Sequence, residues 1–430
     1  MASVLPREIA YGKQNSLPPN TTQINQVIAP ANGTEFAAGS MIDFQLPATG
    51  FMVPSSMYLR YRLKMTVGTA AVDMRGTPAF TPFAKSEVLI GSTSAEQISS
   101  YNMIANILVN TKMNAAQKLG LGPVFGYSGS VANEETGTIV ELDGRQFPTG
   151  AVDLPLACGL NNILANCDHL VPLQFMDQVR LQLTLDAQNN MFNAFTGGAT
   201  IANFKIEGVE LVYDQITFGA DFDPVIMSLA DEAGNITIKS QSYSAASQTL
   251  NAGSGVVEMT FNQRYSSIKS LIANFAEGGA DQVNGWSGSI DPTGGEGDIV
   301  YTVNGISHPQ RPLSYKQSAG QFQELANCWS PASDVLVGAN LSITNEEWEH
   351  KDGDTTDRTA PGKRWIGVNV EKLSTNGALL TGISSNTTPI TIRLNLGPTA
   401  SADDHLTTLI TCHDALLIIN VPTKSAYVRQ

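Results

Sequence analysis

The sequence predicts an all-β protein made of two tandem antiparallel β-domains, and two observations lead to this fold class. The first is strand periodicity. Residues 59–65 (LRYRLKM) alternate apolar with basic side chains, the pattern of a strand with one buried and one wet face. The second is repetition, because a similar succession of strands, a Gly turn and a helix returns about half a chain later. So long a unit is not a solenoid repeat, and each copy can have its own core.

The repetition has a nearly constant spacing. A chance match of strand patterns would not reproduce one spacing three times along a chain. The matching pairs, with their offsets in residues, are 59–65 and 271–275 (212), 87–91 and 300–305 (214 between the glycines), and 179–185 and 390–396 (211).

A change of period at the same point of both copies strengthens the duplication. From Ser99 to Asn110, apolar side chains recur at spacings of three and four residues, which predicts an amphipathic helix with these side chains on one face. The second copy repeats this pattern after its own Gly turn. The apolar positions are Tyr101, Ile104, Ile107 and Leu108 in the first copy and Phe322, Leu325, Ala326 and Trp329 in the second.

Three parts of the chain follow from these patterns. Residues 1–40 show neither period and predict an extended N-terminal arm, residues 41–220 the first domain and residues 221–430 the second. The first domain opens with the alternating segment 42–46. The second closes with residues 415–421, a continuous apolar run that predicts a strand covered on both faces.

The junction and the loops are also visible. Residues 221–224 predict a helix start with Pro in its first turn, and Gly234 marks the expected end. Because this junction is short and carries Phe222, Val225, Ile226 and Leu229, we expect the two domains to pack together. Long, weakly patterned segments predict loops over 111–150, 277–297 and 330–363.

Composition limits the function. The chain has 430 residues, 42% of them apolar, a net charge of −14 and only 15% charged residues. The acidic balance disfavours direct genome binding, and the arm adds no basic run. Sparse charge has two explanations that stay open: a surface covered by neighbouring subunits, or a turn-rich surface that is polar and neutral.

The cysteines and the N-terminus suggest a compartment. Cys158, Cys167, Cys328 and Cys412 have no metal-site or scaffold spacing, so we expect buried thiols made in a reducing compartment. The first residues lack the apolar segment of a signal peptide, and no stretch reaches the length of a membrane span. The sequence therefore predicts synthesis in a cytoplasm.

No pattern of catalytic, cofactor-binding or metal-ligating residues stands out. The five histidines are scattered, without ligand spacing. Residues 352–357 could form a Ca²⁺ loop, but Lys363 occupies the position where an EF-hand needs Glu, so we favour a solvated acidic loop. We predict no enzymatic activity and no cofactor.

Two features bear on assembly. Asn304-Gly305 predicts a tight hairpin turn, preferred here over a contact site. We expect Trp329 to lie in the core, whereas Trp286 and Trp348 fall in predicted loops, where an aromatic side chain is often an interface anchor.

The chain from about Met41 to Val428 resembles the double jelly-roll major capsid proteins of the tectivirus and adenovirus lineage, which includes virophages and polinton-like viruses. The segments that carry the resemblance are 42–62, 88–108, 170–185 and 303–312. The resemblance implies two eight-stranded antiparallel jelly-roll sandwiches, each with a short helix. It also implies a pseudo-hexagonal homotrimer that tiles an icosahedral shell of a virion.

The expected partners follow from the same resemblance. They are further copies of the chain, neighbouring capsomers, penton or minor capsid proteins and, in members that have one, an internal membrane. Two alternatives stay open: a two-domain carbohydrate-binding or carbohydrate-processing sandwich, and a surface adhesin or fibre. Both would be expected to carry an export signal.

Overall fold

The structure is a computed structural model. The described residues are 21–69, 72–74, 76–113, 115–126, 129–132, 139–142, 146–147, 149–193, 200–219, 222–251, 253, 255–277, 289, 291–293, 295–329, 348, 363–371, 380–397 and 404–430.

The first half of the chain forms a β-sandwich, which we call roll 1. Its two main sheets have the strand orders β1-β15-β5-β12 and β3-β13-β7-β8, while β2 and β4 also pair with β15. The strands of this half are β1 (Thr22–Ile28), β2 (Glu35–Ala37), β3 (Met41–Gln45), β4 (Phe51–Met52), β5 (Tyr58–Gly68), β6 (Val72–Met74), β7 (Phe83–Ile90), β8 (Thr93–Ser99), β9 (Gly129–Ala132), β10 (Ile139–Leu142), β11 (Gln146–Phe147), β12 (Gly150–Gly159), β13 (Val179–Leu185), β14 (Phe192–Asn193) and β15 (Thr200–Thr217).

The second half forms roll 2, with sheets ordered β16-β23-β18-β21 and β17-β22-β19-β20 and with β24 paired to β23. Its strands are β16 (Asn235–Leu250), β17 (Gly255–Phe261), β18 (Ile268–Glu277), β19 (Asp298–Val303), β20 (Ile306–Ser314), β21 (Ile366–Asn369), β22 (Ile390–Leu396), β23 (His405–Asn420) and β24 (Ser425–Arg429).

The two rolls have the same connectivity. If the eight main strands of each roll are counted along the chain, one sheet is ordered first-eighth-third-sixth and the other second-seventh-fourth-fifth. All the pairings are antiparallel, as a jelly roll requires. The three pairs of segments matched in the sequence lie in β5 and β18, β7 and β19, and β13 and β22, which are equivalent strands. The predicted duplication into two jelly-roll sandwiches is confirmed.

The helices are α1 (Tyr101–Lys112), α2 (Ala115–Phe125), α3 (Gln188–Met191), α4 (Asp223–Leu229) and α5 (Ser318–Asn327). Helices α1 and α5 each follow the fifth main strand of their roll, as the change of period predicts. The described residues also include two short 3-10 turns, Pro54–Ser56 and Leu173–Phe175.

The hairpin prediction at Asn304-Gly305 is confirmed. These two residues join Val303 to Ile306 with φ of +52° and +77°. Two consecutive positive φ angles are the requirement of the type I′ turn, which Asn and Gly meet at little steric cost.

Several boundaries differ from the prediction. Segment 111–150 was expected to be a loop, yet it contains α2, whose two glycines and proline lower its helix propensity. The packing of α2 on β12 overrides that propensity. The junction helix α4 begins as predicted but ends at Leu229, and Gly234 lies instead in the turn before β16.

The described part of the predicted arm is extended and paired. Strands β1 and β2 both form ladders with β15, so residues 22–28 and 35–37 belong to the sheet of roll 1. The domain bounds at residues 40 and 220 stay predictions.

Candidate assembly surface

The two rolls meet along a contact that we call the seam, formed by β8, α1 and residues 160–168 of roll 1 against β16, β18, β23 and β24 of roll 2. Backbone groups cross it directly: the Asp168 N–H donates to the Lys239 carbonyl over 3.0 Å. Side chains also cross it, since the Ser240 hydroxyl donates to the Ile163 carbonyl over 2.5 Å. The seam is therefore an ordered interface and not a flexible linkage.

Strand β18 is buried on both faces because of the seam. Leu271, Ala273 and Phe275 belong to the core inside roll 2. Between them, Ile272 is only 1% exposed and belongs to the apolar cluster that continues from the core of roll 1. In β23, Leu417 and Ile419 join that same cluster, but Ile418 and Asn420 on the other face are only half-buried. The predicted burial of both faces of residues 415–421 is therefore incomplete.

Helix α1 is buried nearly all round, whereas the sequence predicts one buried face. Its polar positions Asn102, Asn106 and Asn110 are each 4% exposed or less. The amide of Asn110 donates to the Asn106 carbonyl over 2.8 Å, so burial leaves this group satisfied. The amphipathic prediction is incomplete because the second cover of α1 comes from roll 2, as the 3.5 Å contact between the Asn274 amide and the Met103 sulfur shows.

The tryptophans of roll 2 anchor the chain internally. Trp348 is fully buried and donates its indole N–H to the Trp365 carbonyl over 2.9 Å. The expectation that Trp348 is an exposed interface anchor is therefore wrong, and it offers no sugar platform. Trp329 is half-buried, with the Lys112 ammonium 4.9 Å from its ring centre. Trp286 lies outside the described residues.

The junction helix does not pack as predicted. Ile226 is buried and Phe222 is half-buried, but Val225 and Leu229 are 46% and 70% exposed. The predicted packing of the two domains is provided by the seam, and α4 leaves apolar side chains at the surface.

The outer face of the β12-β5-β15 sheet in roll 1 carries a network of alternating charges. Asp153 is fully buried beneath the Arg62 guanidinium, 2.7 Å away, and the Lys64 ammonium, 3.4 Å away. Lys64 also contacts Glu207 at 3.0 Å, which raises the lysine pKa, while Lys205 and Lys64 lower the pKa of Glu207. These ion pairs join Arg62, Lys64 and Lys205 to Glu35, Asp153 and Glu207, and Arg60 and Glu210 form a separate pair on the same face. This face is thus neutral in a chain with a charge of −14.

Apolar side chains are exposed at two edge strands that the seam does not cover. On β1 of roll 1, Ile24 and Val27 are 52% and 45% exposed. On β20 of roll 2, Ile306 is 60% exposed. Strand β20 is the equivalent of β8, and β1 is the equivalent of β16. Within the described part of the chain, the two strands that meet at the seam therefore have counterparts, β1 and β20, that take no part in it.

The histidines, the acidic loop and the cysteines considered in the sequence form no common site among the described residues. His169 is exposed, whereas His405 and His413 are buried in β23. His350 and the acidic loop 352–357 lie outside the described residues. The four cysteines are free thiols, with Cys158 and Cys412 buried.

The described residues contain neither a cluster of metal ligands nor a helix that could span a membrane. They hold no group of three or more His, Cys, Asp or Glu side chains arranged to bind a metal ion. Among the helices in this part of the chain, none has the length and apolarity needed to cross a membrane.

Sequence reasoning missed the residues of the seam. Glu96 on β8 and Ile272 on β18 are central to it, and neither was singled out. The signal for Ile272 was present, because residues 271–273 run Leu-Ile-Ala where the equivalent strand β5 alternates with basic residues. A strand that is apolar on both faces indicates that other elements pack against both sides of its sheet.

Comparison with known proteins identifies the architecture. No protein-family model and no curated protein sequence matches the chain. Solved structures do. The Faustovirus major capsid protein matches with a TM-score of 0.67 at 10% identity, over 97% of this chain and 93% of that one. A chain of the quasi-atomic PBCV-1 virus capsid model gives 0.59 at 11% identity, over 98% and 99%. The mavirus major capsid protein gives 0.55 at 10% identity, over 100% and 95%. The chain therefore has the double jelly-roll fold of these viral major capsid proteins.

Proposed function

We propose that the protein is a structural major capsid protein, a non-enzymatic subunit whose pseudo-hexagonal homotrimer tiles an icosahedral virus shell. The fold shared with viral major capsid proteins supports the role. The observation that supports a trimer is that the same edge strands occur in both rolls, but only one copy of each lies in the seam. Among the residues that the structure describes, one chain joins β8 of its first roll to β16 of its second, while their counterparts, β20 and β1, lie outside the seam.

This arrangement makes the contact heterologous. A seam between two different surfaces leaves one unused copy of each surface, and head-to-tail contacts of this kind either close into a ring or continue as a filament. Because the rolls have the same connectivity, β20 of one copy can dock on β1 of the next as β8 docks on β16. Three chains then supply six rolls, and the ring has a hexagonal outline.

The surfaces suit this contact. Ile306 on β20 and Ile24 on β1 are exposed apolar side chains at the two edges that would meet. The charge-balanced face of roll 1 can approach a neighbour without net repulsion, although the chain as a whole is acidic.

The capsid role also implies partners for the trimer and a location in the virion. Neighbouring capsomers and penton or minor capsid proteins would contact the outside of the ring, and an internal membrane is compatible with it. Direct genome binding is disfavoured by the acidic charge. We place the protein in the virion, after synthesis in the host cytoplasm, with an arm and two domains divided near residues 40 and 220.

Light scattering coupled to size-exclusion chromatography tests the trimer. We expect a mass three times the 45.8 kDa of the chain, and negative-stain images with a hexagonal outline. A folded protein that stays monomeric at high concentration would contradict the proposal.

Two single substitutions locate the contact. Ile306→Asp places a charge at the proposed interface and should convert the trimer to a folded monomer. Val256→Asp is the matched control, because Val256 is 58% exposed on β17, at the opposite edge of the same sheet, and should leave the trimer intact. If both variants remain trimeric, β20 is not the contact.

A further inference from the structure

Glu96 is a buried carboxyl group at the centre of the seam. It lies on β8, the outermost strand of its sheet, and yet it is only 3% exposed because roll 2 covers it. No basic nitrogen of the described residues lies within the 4.0 Å that defines an ion pair with its carboxylate. A buried charge without a counter-ion is costly, so this position needs an explanation.

Two neutral groups from the two sides of the seam hold the carboxyl group. The Ile163 backbone N–H, in roll 1, donates to Oε2 over 2.7 Å. The Ser242 hydroxyl, on β16 of roll 2, forms a short hydrogen bond with Oε1. The adjacent hydroxyl of Ser240 donates to the carbonyl of the same Ile163. Glu96 therefore joins β8, the 160–168 segment and β16 in one hydrogen-bonded unit.

The titratable groups that interact electrostatically with Glu96 are neutral near pH 7, and the Asp168 carboxylate of the 160–168 segment contacts His169 over 2.7 Å. Tyr101 of α1, Cys167 of the 160–168 segment and Tyr265, which precedes β18, interact electrostatically with Glu96, and burial raises the pKa of all three. His413 of β23 stacks on Tyr265 with ring centres 3.8 Å apart, and burial lowers its pKa to about 4.

The nearby charges of the packed strands have other partners or face water. On β16 and β23, the Lys239 ammonium lies 3.7 Å from the Asp414 carboxylate. On β7, which pairs with β8, Lys85 and Glu87 contact each other at 2.6 Å. On β24, which contacts β8, Arg429 is exposed. None of these groups compensates an ionised Glu96.

We propose that Glu96 is a pH-dependent latch between the two rolls, closed when its carboxyl group is protonated and loosened when that group ionises. Burial raises the pKa of Glu96 to about 7, an effect that the hydrogen bonds from Ser242 and Ile163 partly oppose. The proposal concerns the seam within one chain, so it does not rest on the capsid role.

The direction of the pH effect follows from the two states. In the unfolded or opened chain, the carboxyl group titrates near its ordinary pKa of 4.5, whereas in the closed seam it titrates near 7. Stabilisation by the bound proton is therefore complete below pH 4.5 and is lost as the pH rises to 7. Each unit of pKa difference changes the equilibrium constant for closing the seam tenfold. This constant should therefore fall roughly 300-fold over this window.

Hydrogen exchange of the full chain, measured by mass spectrometry from pH 4.5 to 8.5 and corrected for intrinsic rates, tests the latch. We expect protection of peptides spanning residues 160–168 and 235–243 to fall on the order of 100-fold between pH 4.5 and 7 and to level off above pH 7. Glu96→Gln should abolish this fall in both peptides. Glu258→Gln, at an exposed position on β17, should leave the fall unchanged.

A second variant keeps the test decisive if Glu96→Gln does not fold. Ser242→Ala removes a donor that favours the ionised carboxylate, so the fall in protection should continue to a higher pH before it levels off. Identical pH profiles for the wild type and Glu96→Gln, or a Ser242→Ala profile that levels off at the same pH as the wild type, would overturn the proposal.

Discussion

Strands β5 and β18 occupy equivalent positions in the two rolls, but the side chains on their outer faces differ in chemistry and in burial. Their inward residues are alike, with Leu59 and Leu271 at equivalent positions and both fully buried. Their outward residues differ: Arg60, Arg62 and Lys64 on β5 stand where β18 has Ile272, Asn274 and Ala276. The basic side chains reach the surface, with 48%, 36% and 26% of each exposed, whereas their three counterparts are 4% exposed or less.

The difference shows that the fold determines the residue types on one face of a duplicated strand, whereas the neighbouring elements determine those on the other face. Inward positions are set by the sandwich, so they are shared by both copies. Outward positions depend on what lies beyond the sheet. For β18 this is α1 of roll 1 together with the tryptophans of roll 2, since Asn274 contacts Met103 and accepts the Trp365 indole N–H at 3.0 Å. For β5, the residues that the structure describes provide no such cover.

The largest effect is expected from Ile272→Arg, which gives β18 the outward residue of β5. A cation without a partner at a position that is 1% exposed should cost more than about 4 kcal/mol, enough to open the seam or unfold the chain. Urea denaturation followed by tryptophan fluorescence measures the loss. If no folded protein is obtained, Ile272→Ala should still cost about 2 to 4 kcal/mol through lost burial and the cavity left behind. A near-wild-type midpoint for either variant would mean that the seam is open in solution.

An intermediate effect is expected from Asp153→Asn on the face of roll 1. The carboxylate is fully buried and pairs with Arg62 and Lys64, but both cations keep some access to water. Removing its charge should therefore cost about 1 to 2 kcal/mol, less than the loss of a pair that is buried on both sides. The same denaturation experiment measures it, with Glu210→Gln as the control because Glu210 is exposed. Equal losses in the two variants would show that burial of Asp153 does not matter.

The repeated core could be predicted from the sequence because it depends on local periodicity. The alternation in β5 and the change of period at α1 each come from a few consecutive residues, and both elements lie where expected. The Asn304-Gly305 turn is equally local, since the backbone angles of two residues define it. Boundaries were less accurate at α2, where packing on β12 outweighs poor helix propensity.

The seam could not be predicted in the same way because it depends on pairs of residues far apart in the chain. Glu96 and Ser242 are separated by 146 positions, and no local pattern relates them. The prediction for Trp348 failed for a similar reason. The sequence around it has the pattern of a loop, but the side chain is buried against Phe322 and Trp365. Burial in a tertiary contact leaves little trace in a window of neighbouring residues.

The smallest effect is expected from Arg60→Ile, which gives β5 the outward residue of β18. Arg60 and its partner Glu210 are 48% and 37% exposed, and pairs of this kind contribute less than about 1 kcal/mol because water already solvates both charges. Isoleucine also has a high β propensity, so the unfolding midpoint of the isolated chain should barely change. Arg62→Ile is the matched comparison two residues along the same face, where loss of the partner of buried Asp153 should be clearly measurable. If Arg60→Ile destabilises the isolated chain as much as Arg62→Ile, then the outer face of β5 is covered within the chain, and the contrast with β18 does not hold.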